Sequence, residues 1–197
     1  GRVLHAAVHP TLVALAQRLR GDSCAEATCA ALFGSPAAGL RHDFPSHLEE
    51  FSRRTGGAYG TPVELALRHS VLPYFTIFRP ADVFNGAIAA ISGSTVERLK
   101  FLLGMPASPA GALYPLSHCN ACAIDDINRF GLAYWHCVHQ LPASYLCPIH
   151  HEPLLPSEVR LNGLGRSQLF LPRDPRLKSH VAAIDLASSA LPLLERL

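Results

Sequence analysis

Cys119-Asn120-Ala121-Cys122 and Cys147-Pro148-Ile149-His150 each offer two soft or borderline donors three positions apart, with 24 residues (123–146) between the two pairs. A Cys-x-x-Cys or Cys-x-x-His segment aims both donors at one point, and two such segments complete four-coordination around a single ion. The spacing predicts one structural Zn2+ held by Cys119, Cys122, Cys147 and His150. Four convergent protein donors leave no position for the water that a catalytic zinc would activate. The intervening run Tyr134-Trp135-His136-Cys137-Val138-His139-Gln140-Leu141-Pro142 supplies competing donors in His136, Cys137 and His139, and His118 and His151 flank the pairs. His136 and His139 stand at i, i+3 spacing, so they are assigned to a shell around the ligands. His118 and His151 are read as exposed. Tyr134 and Trp135 are the apolar material that so small a module needs for a core.

Upstream of this segment the chain is punctuated by helix-start signals, in which a hydroxyl is followed three residues later by a carboxylate. Ser23 with Glu26 predicts a helix to Phe33 ended by Gly34, and Ser46 with Glu49 one to Thr55 ended by Gly56 and Gly57. Thr61 with Glu64, and Pro62 at the first helical position, predicts a third to His69; Ser94 with Glu97 predicts a fourth to Leu103, stopped by Gly104. Apolar periodicity adds helices over Pro10–Arg20 and Pro80–Ile91. Between Ser70 and Pro80, Val71 to Arg79 is too aromatic and too interrupted for a helix core, and reads as a buried connector packing between the helices, with a partner-binding surface as the alternative. Cys24 and Cys29, among alanines, read as small buried thiols rather than a second metal site.

Two helix pairs have very short links, Gly21-Asp22 in the first and Ser92-Gly93-Ser94 in the second. Both fit helix-turn-helix units, and short turns also join angled helices in any bundle. In the second pair Val96, Leu99, Leu102 and Leu103 are expected inward, leaving Thr95, Arg98 and Lys100 outward as candidate DNA contacts, or as an ordinary solvated face. The expected architecture is mainly α: a helix-turn-helix-like region over 1–115, a zinc-binding module over 116–156, and a C-terminal extension over 157–197 with a terminal helix. Leu191 to Leu197 is a helical pattern without a cap and the first residue is Gly, so the chain is expected to be truncated relative to a longer protein.

With 49% hydrophobic and 16% charged residues the composition is that of a globular chain. Residues 1–118 carry ten Lys/Arg against eight Asp/Glu, residues 119–155 one against three, and residues 156–197 six against four. A net charge of +2 gives no large electrostatic footprint for nucleic acid, so DNA affinity must come from local clusters, and the metal segment is a poor phosphate binder. Six cysteines without a secretory leader point to a reducing, cytoplasmic setting. Charge-free stretches are too short and too often broken for a membrane span.

The sequence resembles the TniQ/TnsD family of transposition target selectors. The resemblance rests on Cys119-x-x-Cys122, Phe130-Gly131-x-x-Tyr134-Trp135-His136-x-x-His139-Gln140-Leu141-Pro142 and Cys147-Pro148-x-His150. It extends upstream through Leu32-Phe33-Gly34, Phe44-Pro45-Ser46-His47-Leu48, Leu72-Pro73-Tyr74-Phe75, Phe78-Arg79-Pro80 and Leu103-Gly104-Met105. It implies a bacterial, non-catalytic adaptor that recognises target DNA, or a partner or target-recognition complex already bound there, and recruits an AAA+ ATPase that activates a transposase. A homodimer is expected to do so. Cys137 stands where the family pattern commonly has a basic residue, which removes one phosphate contact and adds a thiol near the metal.

Two other classes compete. A zinc deaminase pairs its thiolates with a His-x-Glu element, whereas His139 is followed by Gln140-Leu141, and no carboxylate stands where a general acid/base is needed. No phosphate-cradling Gly-rich Lys motif appears, so the chain is expected not to be an enzyme and ATP use is expected to belong to a partner. A purely structural interaction domain is the third reading, and salt-dependent DNA binding separates it from the adaptor.

Overall fold

The structure is a computed structural model that describes residues 25–38, 44–105 and 116–157, together with Pro172. Among the described residues the chain is mainly helical, with seven α-helices, two 3-10 turns and one two-stranded ribbon. The helices are α1 (Ala25–Phe33), α2 (Leu48–Arg54), α3 (Pro62–Arg68), α4 (Leu72–Thr76), α5 (Ala81–Ser92), α6 (Leu99–Leu102) and α7 (Asn120–Phe130). The first six build one helical core, and α7 belongs to the Cys/His cluster that follows. No helix among the described residues is long and apolar enough to cross a membrane. The predicted helices over Pro10–Arg20 and Leu191–Leu197, the capping residue Ser23, and Cys24 lie outside the described residues.

α1 is alanine-rich and turns Thr28, Cys29 and Phe33 inward. Phe33 stacks on Phe51 of α2, with centroids 4.9 Å apart, and burial of each ring contributes about 1.5–3 kcal/mol. The end of α1 is fastened by a side chain from α2. Arg54 Nη1 donates to the carbonyls of Ala30 (3.1 Å) and Ala31 (2.8 Å), two of the orphan acceptors of a helix C-terminus. Its Nε donates to Glu50, which also takes two bonds from Arg53. These contacts hold the Glu50 carboxyl down to about 2.

The Thr61 capping box forms in full. Glu64 N donates to Thr61 Oγ1 (3.3 Å), Thr61 N donates to Glu64 Oε2 (2.9 Å), and Pro62 opens α3. The box predicted at Ser46 does not form. Ser46 is buried with its hydroxyl against His47 Nδ1 (2.9 Å), and α2 starts instead from His47 in a left-handed conformation (φ 59°). The His47 N–H leaves for Gly93 O (2.7 Å) at the end of α5, so a tertiary bond overrides the local cap. The predicted connector also needs correction. Leu72–Thr76 is a short helix whose Leu72 N–H is taken by Ser70 Oγ (3.1 Å), and although Leu72 and Thr76 are buried, Ile77 and Phe78 are exposed.

The second helix pair is shorter and less regular than its sequence pattern predicts. Ser94 does not cap a continuous helix: a 3-10 turn over Val96–Arg98 leads into the four-residue α6. Val96, Leu99 and Leu103 enter the core, while Leu102, expected inward, is 40% exposed and lies over Gly86, where a Cβ would meet its Cδ2 at 3.3 Å. Arg79 Nη2 donates to Leu103 O (2.8 Å) and Gly104 (φ 70°) turns the chain away. Leu141, from beyond α7, packs against this helical core and joins it to the Cys/His segment.

Candidate metal centre

The first donor pair is built into a helix start. Cys119 is the N-cap of α7 in extended conformation, and its Sγ accepts the Cys122 N–H at 3.5 Å. The capping position that Ser or Asp fills in other helices is here filled by sulfur, in the partial positive field of a helix N-terminus. Cys122, three residues on, faces the same side. The second pair sits in a tight turn: His150 N donates to Cys147 Sγ (3.4 Å), His151 N to Cys147 O (2.9 Å) and Cys147 N to Glu152 O (2.8 Å), with His151 left-handed at φ 57°.

A short ribbon brings the pairs together. β1 (Ser117–His118) runs antiparallel to β2 (Leu155–Pro156), placing Ser117 opposite Pro156 and His118 opposite Leu155. Ser157 closes it with backbone and hydroxyl bonds to Leu116 O (2.8 and 2.7 Å). On its other side the Gln140 side chain acts as a peptide: Oε1 accepts Ser117 N–H (2.9 Å), and Nε2 donates to Ser117 O (2.8 Å) and His136 O (3.0 Å). Trp135 is fully buried, edge-on to His118 at 5.9 Å; His118 is half-buried here rather than exposed.

The result is a cluster of Cys119, Cys122, Cys147 and His150 whose donor atoms all lie within 4.8 Å of one another. His150 Nδ1 stands 3.6, 3.3 and 3.7 Å from the sulfurs of Cys119, Cys122 and Cys147, and Cys122 Sγ is 3.6 Å from Cys147 Sγ. A tetrahedral ion with metal–sulfur bonds of about 2.3 Å and a metal–nitrogen bond of about 2.0 Å requires edges of roughly 3.8 and 3.5 Å. The donors are therefore at the separations that one such ion needs, and the cluster can hold a metal.

Charge in the cluster is unevenly held. Burial and the neighbouring sulfurs push the Cys119 and Cys122 thiols up. Cys147 is also raised by burial, but the N–H groups of His150 and Ile149 and the His150 ring outweigh this and bring it to about 7. Binding a metal must therefore displace protons, which makes affinity rise with pH.

Around the cluster lies a wall of imidazole and carboxylate. His139 is 2% exposed, has Nε2 3.9 Å from Cys122 Sγ, and is held neutral by burial and by its neighbouring imidazoles, at about 4. His136 is stacked between Tyr134 (4.2 Å) and His139 (4.8 Å) and bonds through Nε2 to the buried Asp126 (2.9 Å). Cys122, His136 and His139 also form a three-donor group. It shares Cys122 with the quartet and offers one donor fewer, so the four-donor cluster is the better metal site. Cys137 is buried and its thiol is pushed up to about 12 by burial, outside both groups. Sequence reasoning missed Asp125, Asp126 and Glu152 in this wall, and the bridging role of Gln140. Helical spacing from Cys122 was the available signal for Asp125.

Of the candidate DNA contacts, Thr95, just before the 3-10 turn, and Arg98, its last residue, are exposed, and Lys100 is half-buried. The three do not line one long recognition helix, because the turn and α6 together make only about two helical turns. Phe101, beside them, is 82% exposed.

No family model matches the chain. It is similar to the transposon Tn7 transposition protein TnsD of Escherichia coli. The identity is 28% over 108 residues, which are 54% of this chain and 21% of TnsD. The chain matches about a fifth of that relative's length, and the similarity supports a TniQ/TnsD-like relationship.

Proposed function

We propose that this chain is a zinc-bound, non-catalytic adaptor of transposition target selection, which engages target DNA or a DNA-bound partner and recruits an AAA+ ATPase. The observation that carries the reading is its similarity to TnsD, a Tn7 transposition protein. The cluster supports it: four donors converge on one point, so Zn2+ bound there would cross-link segments 24 residues apart and offer no open position to a substrate. Zinc suits three thiolates and an imidazole better than the hard divalent cations do. Arg98, with Thr95 and Lys100, is the candidate phosphate contact. Two copies side by side, or a polymeric ATPase, would turn weak contacts into firm ones through effective concentration.

The test reconstitutes ATPase loading on DNA at limiting ATPase, with and without the zinc-loaded chain. Loading that rises with the chain supports the adaptor; equal loading rejects it, and zinc-dependent turnover of a small substrate would make the chain an enzyme. Replacing Arg98 and Lys100 by Ala should weaken DNA binding on any sequence and flatten its salt dependence. Metal analysis of Cys122→Ala and Cys147→Ala should show zinc and cooperative unfolding lost together, and retention of both in both variants would refute the quartet.

A further inference from the structure

On the reading of the cluster as a zinc site, we propose that Asp125 is a positioning residue that fixes the tautomer and the aim of the His150 ring. An imidazole can present either nitrogen to a metal, and the choice is set by what holds the other. Here His150 turns Nδ1 toward three sulfurs, and its Nε2 lies 3.2 Å from Asp125 Oδ2. The carboxylate accepts the Nε2 proton, which leaves the Nδ1 lone pair directed into the cluster. Asp125 reaches this position because it follows Cys122 by three residues on α7, so the helix that supplies two thiols also presents the anchor for the ligand arriving from the second pair. His150 comes from a turn, its side chain is 23% exposed, and its ring makes contacts with the three sulfurs and with Asp125. Without that bond its ring can rotate out of the cluster. The adjacent Asp126 holds His136 in a similar way, but that ring is packed between Tyr134 and His139 as well.

The experiment follows release of zinc from the full chain to an excess of chromophoric chelator, in wild type, Asp125→Ala, Asp125→Asn and Glu152→Ala. Asp125 is 58% exposed, so its variants keep the fold, which Trp135 fluorescence checks. Asp125→Ala should release zinc about tenfold faster, at the lower end of the range for outer carboxylates because of that exposure. Asp125→Asn, which keeps an acceptor oxygen, should fall between it and wild type. Glu152→Ala removes an equal charge 3.7 Å from a different donor, Cys119 Sγ, and should speed release by clearly less than Asp125→Ala does. In the cobalt-substituted protein the visible ligand-field bands should shift more in Asp125→Ala than in Glu152→Ala. Release from Asp125→Ala within twofold of wild type, or Glu152→Ala matching it, overturns the assignment. A wild-type chain that retains no zinc at all refutes the quartet instead, and the two failures are told apart by metal content before release is measured.

Discussion

Replacing Gln140 by methionine removes three hydrogen bonds at the metal module while leaving its volume nearly unchanged. The amide is 7% exposed and bridges β1 to the 3-10 turn through Ser117 N, Ser117 O and His136 O. Each bond contributes about 1 kcal/mol net, and a near-isosteric swap adds no large cavity. Ser117 is half-buried, so water recovers part of the loss at its N–H and C=O. The expected destabilisation is about 2–3 kcal/mol. With a urea slope of about 2 kcal/mol/M, the midpoint falls by roughly 1–1.5 M. Trp135 is the only tryptophan and is fully buried two residues after Ala133, so its fluorescence reports this unfolding directly. Free metal concentration must be held constant throughout, because a bound ion would itself add to apparent stability. Gln140→Glu should be at least as damaging, since a carboxylate would face two carbonyl oxygens that now accept N–H bonds. A methionine variant within about 0.5 kcal/mol of wild type would refute the peptide-like role of this side chain.

Thr61→Ala should lose about 1 kcal/mol in denaturant unfolding, because the capping hydroxyl of α3 is replaced by nothing. The Glu50 carboxyl is depressed from 4.5 to about 2 by Arg53 and Arg54, so its contribution is complete above pH 4.5 and is lost as pH falls toward 2. NMR titration of Glu50 should show a midpoint near 2 that rises in Arg54→Ala. Cys137, buried with its thiol pushed up to about 12, should resist iodoacetamide at pH 8 in the folded, zinc-loaded protein; mass spectrometry showing rapid alkylation there would contradict that burial.

How much was legible in the sequence depended on how far apart interacting residues lie. The Thr61 box involves partners three residues apart and forms as its pattern predicts, with Pro62 in place. Ser46 carries an equal pattern, yet the backbone ahead of α2 is claimed by Gly93, 46 residues away. Leu72–Thr76 was hidden because its proline lies in the first turn, where a missing N–H does no harm, and because its first N–H is taken by the buried Ser70 hydroxyl. The mainly helical class and the convergence of Cys119, Cys122, Cys147 and His150 followed from local spacing. The pairing of Asp125 with His150 did not: spacing from Cys122 puts Asp125 on the donor side of the helix, but its partner stands 25 residues on and only the folded turn brings them together.

The two arginine fasteners bear on how any polyanion would see this molecule. Arg54 and Arg79 have their guanidinium groups committed to the carbonyl ends of α1 and α6, and Arg53 is closed on Glu50. The charges of Arg54 and Arg79 offset the negative poles of α1 and α6 and that of Arg53 offsets Glu50, so among the described residues a count of basic residues overstates the charge left for a phosphate chain. Condensed counterions around DNA are displaced only by cations that come within contact of it. Among the described residues, Arg53, Arg54 and Arg79 should therefore displace few counterions, and replacing Arg53 should leave the salt dependence of any DNA binding nearly unchanged.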